Sequence, residues 1–473
     1  MSSIPTYFEG FSEWLVSVVF YAVPVAGVKI NLIVVWLAAA MIFFTFKLRF
    51  LNVRGFRLAI DVLRGKHKEA DAPGEMSHFQ ALSTALSGTV GLGNIAGVAI
   101  AVAMGGPGAL FWMVIIALFA MSLKFSEVLL AVKYRATLPN GRLSGGPMWT
   151  LRNGLAARGM PRIGKIMGGI YAVFALLAFI QTIQVNQSYA QVQTVLGLSD
   201  GMLPALIYGL VLSAVVAAVL LGGVKSIASV TSRLVPVMCL FYLFGIAAIL
   251  ILNITDIPSA IALIVERAFV AEAVVGGAVG AFIAGMRRAA FSNEAGVGTA
   301  AIVHAVSKTR EPASEGFVAL LEPFIDTVII CTATGLALVV SGVWDGGLTD
   351  IAMTSAAFAT VSSWFPIILA FAVCLFAIST ILAVGYYGLQ VSAYLFGSTP
   401  LRNRLYLVYF CGTLPIGALV DVSTVVNYTD SFFFLLSIPN IIGLYIMSDE
   451  IRKDANKYFV SKTSPLQETK PSD

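Results

Sequence analysis

Long apolar runs, separated by short polar segments, recur along the whole chain. A helix needs roughly 20 apolar residues to cross a membrane, and about eleven runs reach that length. We therefore predict an all-α polytopic membrane protein with about eleven transmembrane helices. The expected spans lie within 14–46, 79–104, 108–134, 166–195, 203–221, 227–252, 257–287, 317–340, 364–395, 405–420 and 431–447.

Glycine interrupts two of these spans, the second and the seventh. Gly88, Gly91 and Gly93 stand close together in the second, and residues 275–280 of the seventh read VGGAVG. Each glycine weakens a helix by about 1 kcal/mol relative to alanine, so we predict that both helices open there. Opened backbone is tolerated at membrane depth only around a buried site. The alternative is that these glycines merely let helices pack closely, but the cluster in the second span exceeds what packing needs.

Each interrupted span begins a block of five predicted spans, which indicates a five-plus-five inverted repeat with a binding site between its halves. We expect a single transporter domain over residues 1–473. Its expected parts are an extra N-terminal helix (14–46), a first repeat (79–252), a second repeat (257–447) and a cytoplasmic tail (448–473).

Composition and charge indicate a membrane protein and exclude a soluble one. Hydrophobic residues make up 58% of the chain and charged residues 12%. The net charge of +5 does not indicate nucleic-acid binding, because Lys and Arg concentrate in alternate loops and Asp in the others. Lys29 and Arg267 are the exceptions. This alternation predicts an external N-terminus and a cytoplasmic C-terminus in the cytoplasmic (inner) membrane.

Four motifs carry a resemblance to a known family. They are residues 91–99 (GLGNIAGVA), 124–127 (KFSE), 145–148 (GGPM) and 291–298 (FSNEAGVG). Together they resemble the alanine/glycine:sodium symporter family, and the resemblance covers nearly the whole chain. It implies sodium-coupled uptake of small neutral amino acids. It also implies a fold similar to the leucine transporter, with one extra N-terminal helix.

The same resemblance implies where sodium, the expected coupling ion, binds. The carbonyls of Ser87 and Val90 would hold it from the second span, and hydroxyls of Ser379 and Thr380 from the ninth. Hard cations take oxygen ligands, so this set suits sodium. The alternative for the two hydroxyls is a bond back to their own helix.

The substrate site is also expected at the second span, where the resemblance implies that the amides of Leu92 and Gly93 bind the carboxylate. Gln184 matches a glutamine of the family's pocket, although an amide in an apolar span can equally hold two helices together. The expected substrate-binding residues are Thr89, Leu92, Gly93, Gln184, Gly276, Gly277 and Val384.

The chain departs from the family's pattern at three positions. Val384 stands where the family usually shows Trp, Leu389 where it shows Glu, and Gln181 where it shows Asn. A smaller wall at Val384 should enlarge the pocket. We therefore expect that a neutral amino acid larger than alanine or glycine is accepted or preferred.

Several charged residues occupy the predicted spans or their ends. Lys124 and Glu127, one turn apart, are expected to pair. Glu294 suits a helix cap or, alternatively, a cytoplasmic gate. Glu322 and Asp326 are like charges one turn apart, which predicts that they face water or that one is protonated.

The predicted function is therefore a cation-coupled amino-acid symporter, with membrane lipid as its surroundings and no nucleic-acid partner. Proton coupling within the same fold is an alternative. No Lys or Arg is near Ser379 or within residues 90–94 to replace sodium, so sodium is favoured. A channel is a second alternative, but filters usually repeat one loop around an axis. The sequence contains no nucleotide-binding loop, zinc-protease motif or nucleophile elbow, so we do not expect an enzyme. The oligomeric state stays open.

Overall fold

A computed structural model describes residues 6–25, 28–67, 69, 71–199, 201–270, 277–419 and 422–463. Helices make up most of this part of the chain, together with two short antiparallel hairpins. The hairpins pair β1 (Ala22–Val25) with β2 (Val28–Asn31), and β3 (Ala136–Thr137) with β4 (Leu143–Ser144). The prediction of a mainly helical protein is confirmed.

The helices fall into two sets along the chain. The first set is α1 (Thr6–Val19), α2 (Leu32–Lys47), α3 (Leu51–Arg54), α4 (Phe56–Leu63), α5 (His78–Thr89), α6 (Ala96–Gly105), α7 (Gly108–Lys133), α8 (Pro147–Trp149), α9 (Pro161–Ala178), α10 (Thr182–Leu196), α11 (Met202–Leu221) and α12 (Gly223–Leu252). The second is α13 (Ile257–Arg267), α14 (Gly277–Asn293), α15 (Ala301–His304), α16 (Pro312–Ala319), α17 (Leu321–Pro323), α18 (Thr332–Val340), α19 (Asp350–Ala359), α20 (Pro366–Phe396), α21 (Pro400–Gly417), α22 (Val422–Leu435), α23 (Ser437–Ile446) and α24 (Ser448–Thr463). Short 3₁₀ turns cover Leu92–Asn94, Ile254–Asp256 and Val343–Asp345, and π-helical turns cover Thr150–Gly154 and Phe324–Cys331.

Many of these helices suit a lipid environment. In the described chain, seven segments are long and apolar enough to cross a membrane, and α5 with the turn and helix after it makes an eighth if taken as one bent span. Their outer faces are apolar; Leu240 and Val211, for example, are 69% and 60% exposed. Faces of this kind require lipid rather than water, so the chain is an integral membrane protein. The number of about eleven spans stays a prediction.

The interior is built around two long helices. α7 packs against α2, α14 and α16, while α20 packs against α5, α10 and α12. The contact of α7 with α14 is a backbone-to-backbone approach, because a methyl group on Gly285 would lie 2.4 Å from the carbonyl oxygen of Ala109. Small residues permit such contacts between helices in a membrane. This helix pair supports one side of the site.

Residues 14–46 contain more than the single N-terminal helix expected there. α1 ends at Val19, the first hairpin follows, and α2 begins at Leu32. Pro24 lies in β1 opposite Lys29, and proline cannot continue a helix because it lacks an N–H group. The Asn31 side chain closes the hairpin by donating to the carbonyl of Phe20 at 2.6 Å.

The predicted break at residues 275–280 of the seventh span lies partly outside the described residues. α13 ends at Arg267 and α14 begins at Gly277, so Gly277 and Gly280 are helical, whereas Gly276 lies outside the described residues. The helix ends later, at Glu294, where φ is +54°, and Gly296 and Gly298 follow with φ of +94° and +86°. A glycine costs a helix only about 1 kcal/mol, which packing can offset, whereas positive φ values cannot continue a right-handed helix.

The described part of the C-terminal tail forms a helix, α24, that is held against the helix bundle by charge. Glu450 Oε1 lies 2.5 Å from Lys133 Nζ, and Arg158 contacts its other oxygen. Burial would raise the pKa of Glu450, but hydrogen bonds from Lys133, Arg158 and Tyr134 outweigh it and lower the pKa. The ionised carboxylate is therefore the form that holds the tail.

The close contact of α7 with α14 predicts a strong response to one added methyl group. Gly285→Ala should destabilise the protein by about 2 kcal/mol, because the new Cβ would meet backbone that cannot move aside. Gly169→Ala on α9 is the matched control, since a Cβ there has no neighbour within 4 Å. Thermal unfolding in detergent should show a lower midpoint for the first variant and an equal or higher one for the control. Equal midpoints for both would contradict this packing.

Candidate functional site

The second predicted span opens between α5 and α6, as the glycine cluster indicated. Val90 is extended (φ −77°, ψ 96°), and the Gly91 amide donates to the Asn94 side chain at 2.9 Å. The backbone N–H of Asn94 donates to the carbonyl of Gly91 at 3.1 Å. In a continuous helix these two amides would bond to the carbonyls of Ser87 and Val90. The two carbonyls expected to bind sodium therefore lose their helical partners.

A fully buried polar network holds the opened backbone in place. Asn94 Nδ2 donates to Asp326 Oδ1 at 2.7 Å and to the Asp326 carbonyl at 3.1 Å. The hydroxyls of Ser292 and Thr327 donate to Asp326 Oδ2 at 2.6 and 2.7 Å. Asp326 is thus 0% exposed and hydrogen-bonded rather than open to a vestibule. Its network replaces the helical bonds that the glycine-rich turn gives up.

The ninth predicted span, α20, meets this break with its hydroxyl pair. Ser87 Oγ lies 2.6 Å from both the carbonyl oxygen and the hydroxyl of Ser379. Thr380 faces Gly91, because a Cβ on that glycine would lie 2.6 Å from Thr380 Oγ1. The tertiary structure therefore brings Ser87, Ser379 and Thr380 together around the turn that contains Val90. Each offers oxygen to this small buried region.

A cavity of about 490 Å³ lies beside the break. It is enclosed by the α5–α6 turn and by parts of α10, α14, α20 and α22. The predicted substrate residues in its wall are Thr89, Leu92, Gly93, Gln184 and Val384. Other wall residues are Gln187, Arg288, Phe291, Glu294, Thr380, Tyr387, Asp430 and Phe433.

Several polar atoms at the cavity have no hydrogen-bond partner. They are Thr380 Oγ1, Tyr387 Oη, Gln184 Oε1 and Gln187 Oε1, all shielded from solvent. An unsatisfied buried polar group costs about 1–3 kcal/mol, so four at one cavity indicate a site shaped for a polar ligand. Thr89 differs, because its hydroxyl bonds back to the carbonyl of Ala85 at 3.4 Å.

The fourth predicted span is also interrupted, which the glycine pattern did not indicate. α9 ends at Ala178 and α10 begins at Thr182, and the residues between them line the cavity. A Cβ on Gly91 would lie 3.9 Å from Gln184 Nε2, so this amide faces the α5–α6 break. Polar residues such as Gln181 inside an apolar run were the available signal.

The expected pairing of Lys124 with Glu127 is wrong. The nearest carboxylate oxygen to Lys124 Nζ belongs to Glu322, at 3.4 Å. Glu127 instead accepts from the amide of Gly296 at 2.9 Å and from Asn440 at 2.7 Å. Lys124 and Glu127 lie about one turn apart on α7, but their side chains bond to different neighbouring segments.

Glu294, for which a helix cap or a gate was expected, ends α14 at the cavity wall. Its carboxylate accepts from the Thr299 hydroxyl, within the segment that joins α14 to α15. The carboxylate thus stabilises the turn that follows α14, at the second place where a long helix opens.

In the described part of the chain, no three His, Cys, Asp or Glu side chains converge as they would around a transition-metal ion. The hydroxyl and carbonyl oxygens at the α5–α6 turn are ligands of the kind that hard cations take.

Interrupted helices around a cavity with unpartnered polar groups are typical of a membrane transporter. A solved structure, the manganese transporter of Eremococcus coleocola, has the same general fold. Its TM-score is 0.54 over 83% of this chain and 90% of that one, at 12% sequence identity. This likeness concerns the fold alone.

The chain belongs to the sodium:alanine symporter family, whose model matches residues 15–471. It is 38% identical over 437 residues to the sodium/alanine symporter AgcS of Methanococcus maripaludis, covering 88% of this chain and 94% of that protein. It is 35% identical over 428 residues to the probable sodium/glutamine symporter GlnT of Bacillus subtilis, covering 88% and 86%. The family resemblance of the sequence motifs is thereby confirmed, and the protein is a transporter, not an enzyme.

The pairing of Asn94 with Asp326 predicts a large effect of one charge change. Asn94→Asp should lower stability by more than about 2 kcal/mol, because it places two carboxylates together in a buried network and removes a donor. Adding Asp326→Asn restores one amide and one carboxylate, so the double variant should recover part of the loss. Thermal unfolding in detergent compares the stabilities of Asn94→Asp, Asp326→Asn and the double variant. Additive effects of the two changes would contradict the pairing.

Proposed function

We propose that this protein is a sodium-coupled symporter that imports neutral amino acids by alternating access. The carrying observation is the α5–α6 break, where the carbonyls of Ser87 and Val90 lose their helical donors beside a partnerless Thr380 hydroxyl. Freed carbonyls suit a cation. The start of the resumed helix suits an anion, and together they suit sodium and a zwitterion.

The proposed sodium ligands are the carbonyls of Ser87 and Val90 with the hydroxyls of Ser379 and Thr380. Fixed oxygen atoms from two helices favour a hard cation over water. Back-bonding to its own helix, the alternative for Thr380, receives no support because the hydroxyl has no partner. The Ser379 hydroxyl bonds to Ser87 across the helix contact instead. Sodium would thus join α5 to α20.

The proposed substrate site adjoins that cation. The amides of Leu92 and Gly93 precede α6 and would bind the carboxylate, where the helix dipole adds favourable positive potential. Gln184 Oε1 and Tyr387 Oη would receive donors of the substrate, since both lie at the cavity without partners. The oxygen of Gln184 contacts no donor, so this atom forms no link between helices.

The proposed substrates include neutral amino acids larger than alanine. Val384 lies in the cavity wall with 5% exposure, where a bulky side chain would narrow the cavity. The relatives include proteins named for alanine and for glutamine, so the family accommodates more than one side-chain size.

The proposed architecture is a five-plus-five inverted repeat, residues 79–252 and 257–447, after an extra N-terminal region within residues 14–46. The α5–α6 break opens the first repeat, and the segment from Glu294 to Thr299 would be its counterpart in the second. Gly276 and Gly277 thus lie well before that counterpart. The alternation of basic and acidic loops in the sequence supports an external N-terminus and a cytoplasmic C-terminus, in the inner membrane.

Purified protein in proteoliposomes tests the function. Labelled alanine should accumulate when sodium is imposed outside and should not when choline replaces it, because the ion gradient supplies the driving force. Accumulation that follows an imposed pH gradient without sodium would support the proton-coupled alternative and contradict this proposal.

Thr380→Val should raise the KM for sodium about tenfold or more, because losing one ligand costs at least about 1.4 kcal/mol. The shape of the side chain is nearly unchanged. Thr413→Val on α21 is the matched control, since that hydroxyl bonds only to the Phe410 carbonyl of its own helix at 2.7 Å. Sodium titration of alanine uptake measures both. An unchanged sodium dependence in the first variant would remove Thr380 from the cation site.

Val384→Trp should restrict the substrates to the smallest amino acids. An indole at this wall would fill space that larger side chains need, so competition by glutamine, methionine and leucine should fall while alanine and glycine still compete. Val408→Trp on the lipid-facing side of α21, 72% exposed, is the control for the bulk of the new residue. If both variants kept the wild-type competition pattern, Val384 would not limit substrate size.

A further inference from the structure

A continuous row of buried charged side chains lies apart from the proposed sodium ligands. We name His78, Glu315, His304, Glu322 and Lys124 the acid–base chain. Each of its carboxylates stands between two basic groups: Glu315 contacts His78 through Oε2 and lies 2.5 Å from His304 Nδ1. Glu322 lies 2.5 Å from His304 Nε2 and 3.4 Å from Lys124 Nζ.

Only one end of the acid–base chain reaches the surface. The side chains of Lys124, His304, Glu315 and Glu322 are 0% exposed, whereas that of His78 is 13% exposed. Buried charges on this scale are stable only when paired and hydrogen-bonded. Protons can therefore enter or leave the chain most directly through His78.

The geometry requires one proton more than two neutral histidines provide. Three gaps between a ring nitrogen and a carboxylate oxygen lie within hydrogen-bond distance, and each needs a proton between its two atoms. A neutral imidazole carries a single N–H, yet both ring nitrogens of His304 face a carboxylate. An additional proton must occupy one of the gaps beside His304, whichever atom carries it.

The acid–base chain joins elements that close one end of the protein. His78 begins α5, Lys124 lies on α7, His304 ends α15, and the two glutamates lie on α16 and α17. Backbone bonds join the same segments, since the amide of Glu75 donates to the Val306 carbonyl and that of Lys308 to the Met76 carbonyl, both at 2.8 Å. Arg135 of the α7 end donates to the carbonyls of Ala305, Ser307 and Thr309.

These contacts lie on the side that the proposed orientation makes cytoplasmic. The His78–Glu315 contact joins α5 to α16 there, so it would resist any separation of α5 from the segments that follow His304. The acid–base chain is therefore positioned to oppose inner opening.

We propose that the acid–base chain binds a proton from the cytoplasm and that this proton holds the inner end of the transporter closed. With the proton bound, His304 bridges Glu315 and Glu322. Without it, one carboxylate faces a bare ring nitrogen, and the mutual repulsion of the two acceptors weakens the contact of α15 with α16 and α17. Transport then accelerates as the internal pH rises. The inference rests on the proposed function and its membrane orientation.

Other charged groups surround the acid–base chain on every side. They are Glu69 near His78, Arg135 near Glu315, and Glu127, Glu294 and Asp326 near Lys124. Carboxylates outnumber the cations in this set, and each carboxylate that is ionised favours retention of the extra proton.

Proteoliposomes with a fixed external pH and sodium gradient test the inference when only the internal pH changes. Burial would lower the pKa of His304, but the carboxylates of Glu322 and Glu315 outweigh it and raise the pKa to about 9. Initial sodium-dependent alanine uptake by the wild type should therefore rise at least about threefold between internal pH of about 7.5 and about 9.5, the range over which this raised site loses its proton. His304→Gln, whose amide offers a single donor group and no titrating nitrogen, should respond less than about 1.5-fold and be faster at low internal pH. His67→Gln replaces the one histidine that is not part of the acid–base chain, and this variant should keep the wild-type response.

Sodium-dependent alanine binding in detergent shows whether each variant is folded. If His304→Gln binds no alanine, His78→Gln decides instead, and its response should be at least halved because the surface end of the chain is lost. A wild-type rate independent of internal pH, or variants that respond as the wild type does, would overturn the inference while sodium-driven uptake still upheld the proposed function. Absence of sodium-driven uptake at every internal pH would overturn the proposed function itself.

Discussion

The rest of the site depends on one constraint: backbone amides and carbonyls must find partners where no water is present. Between Ser87 and Asn94 the helix does not supply them. The Asn94 side chain accepts the hydrogen bond of the Gly91 amide and in turn donates to the Asp326 carboxylate. The carbonyls of Ser87 and Val90 consequently lack backbone donors beside the cavity, at a position where a regular helix would have supplied them.

Rigid packing around this opening is as important as the opening itself. α7 and α14 approach at Gly285 closely enough that even a methyl group does not fit, and α20 presents Ser379 and Thr380 to the break. The opening therefore lies against closely packed helices. A looser surround would let the unpaired polar groups satisfy one another.

Charge is distributed in two separate regions with different surroundings. The oxygens proposed to bind sodium at the α5–α6 break belong to neutral groups, whereas the acid–base chain from His78 to Lys124 pairs full charges. Neutral oxygens can accept a cation and release it again because desolvating them costs less than burying ions. Paired charges instead bind segments together, and here they join α5, α7 and α16 at the end away from the break.

The sequence by itself determined the membrane class, the family and the opening at Gly88, Gly91 and Gly93, because apolar run length and clustered glycines act locally on a helix. It also singled out Ser379, Thr380 and Gln184 as polar groups in apolar spans. Only the tertiary structure decided that Gly280 lies inside α14 and that this helix ends before Glu294. It also decided that an interruption lies between α9 and α10, and that Lys124 pairs with Glu322 rather than Glu127. The physical reason is that the neighbouring helices decide both outcomes. They determine whether a helix continues through a glycine and which partner a charged side chain reaches, and they are distant in the sequence.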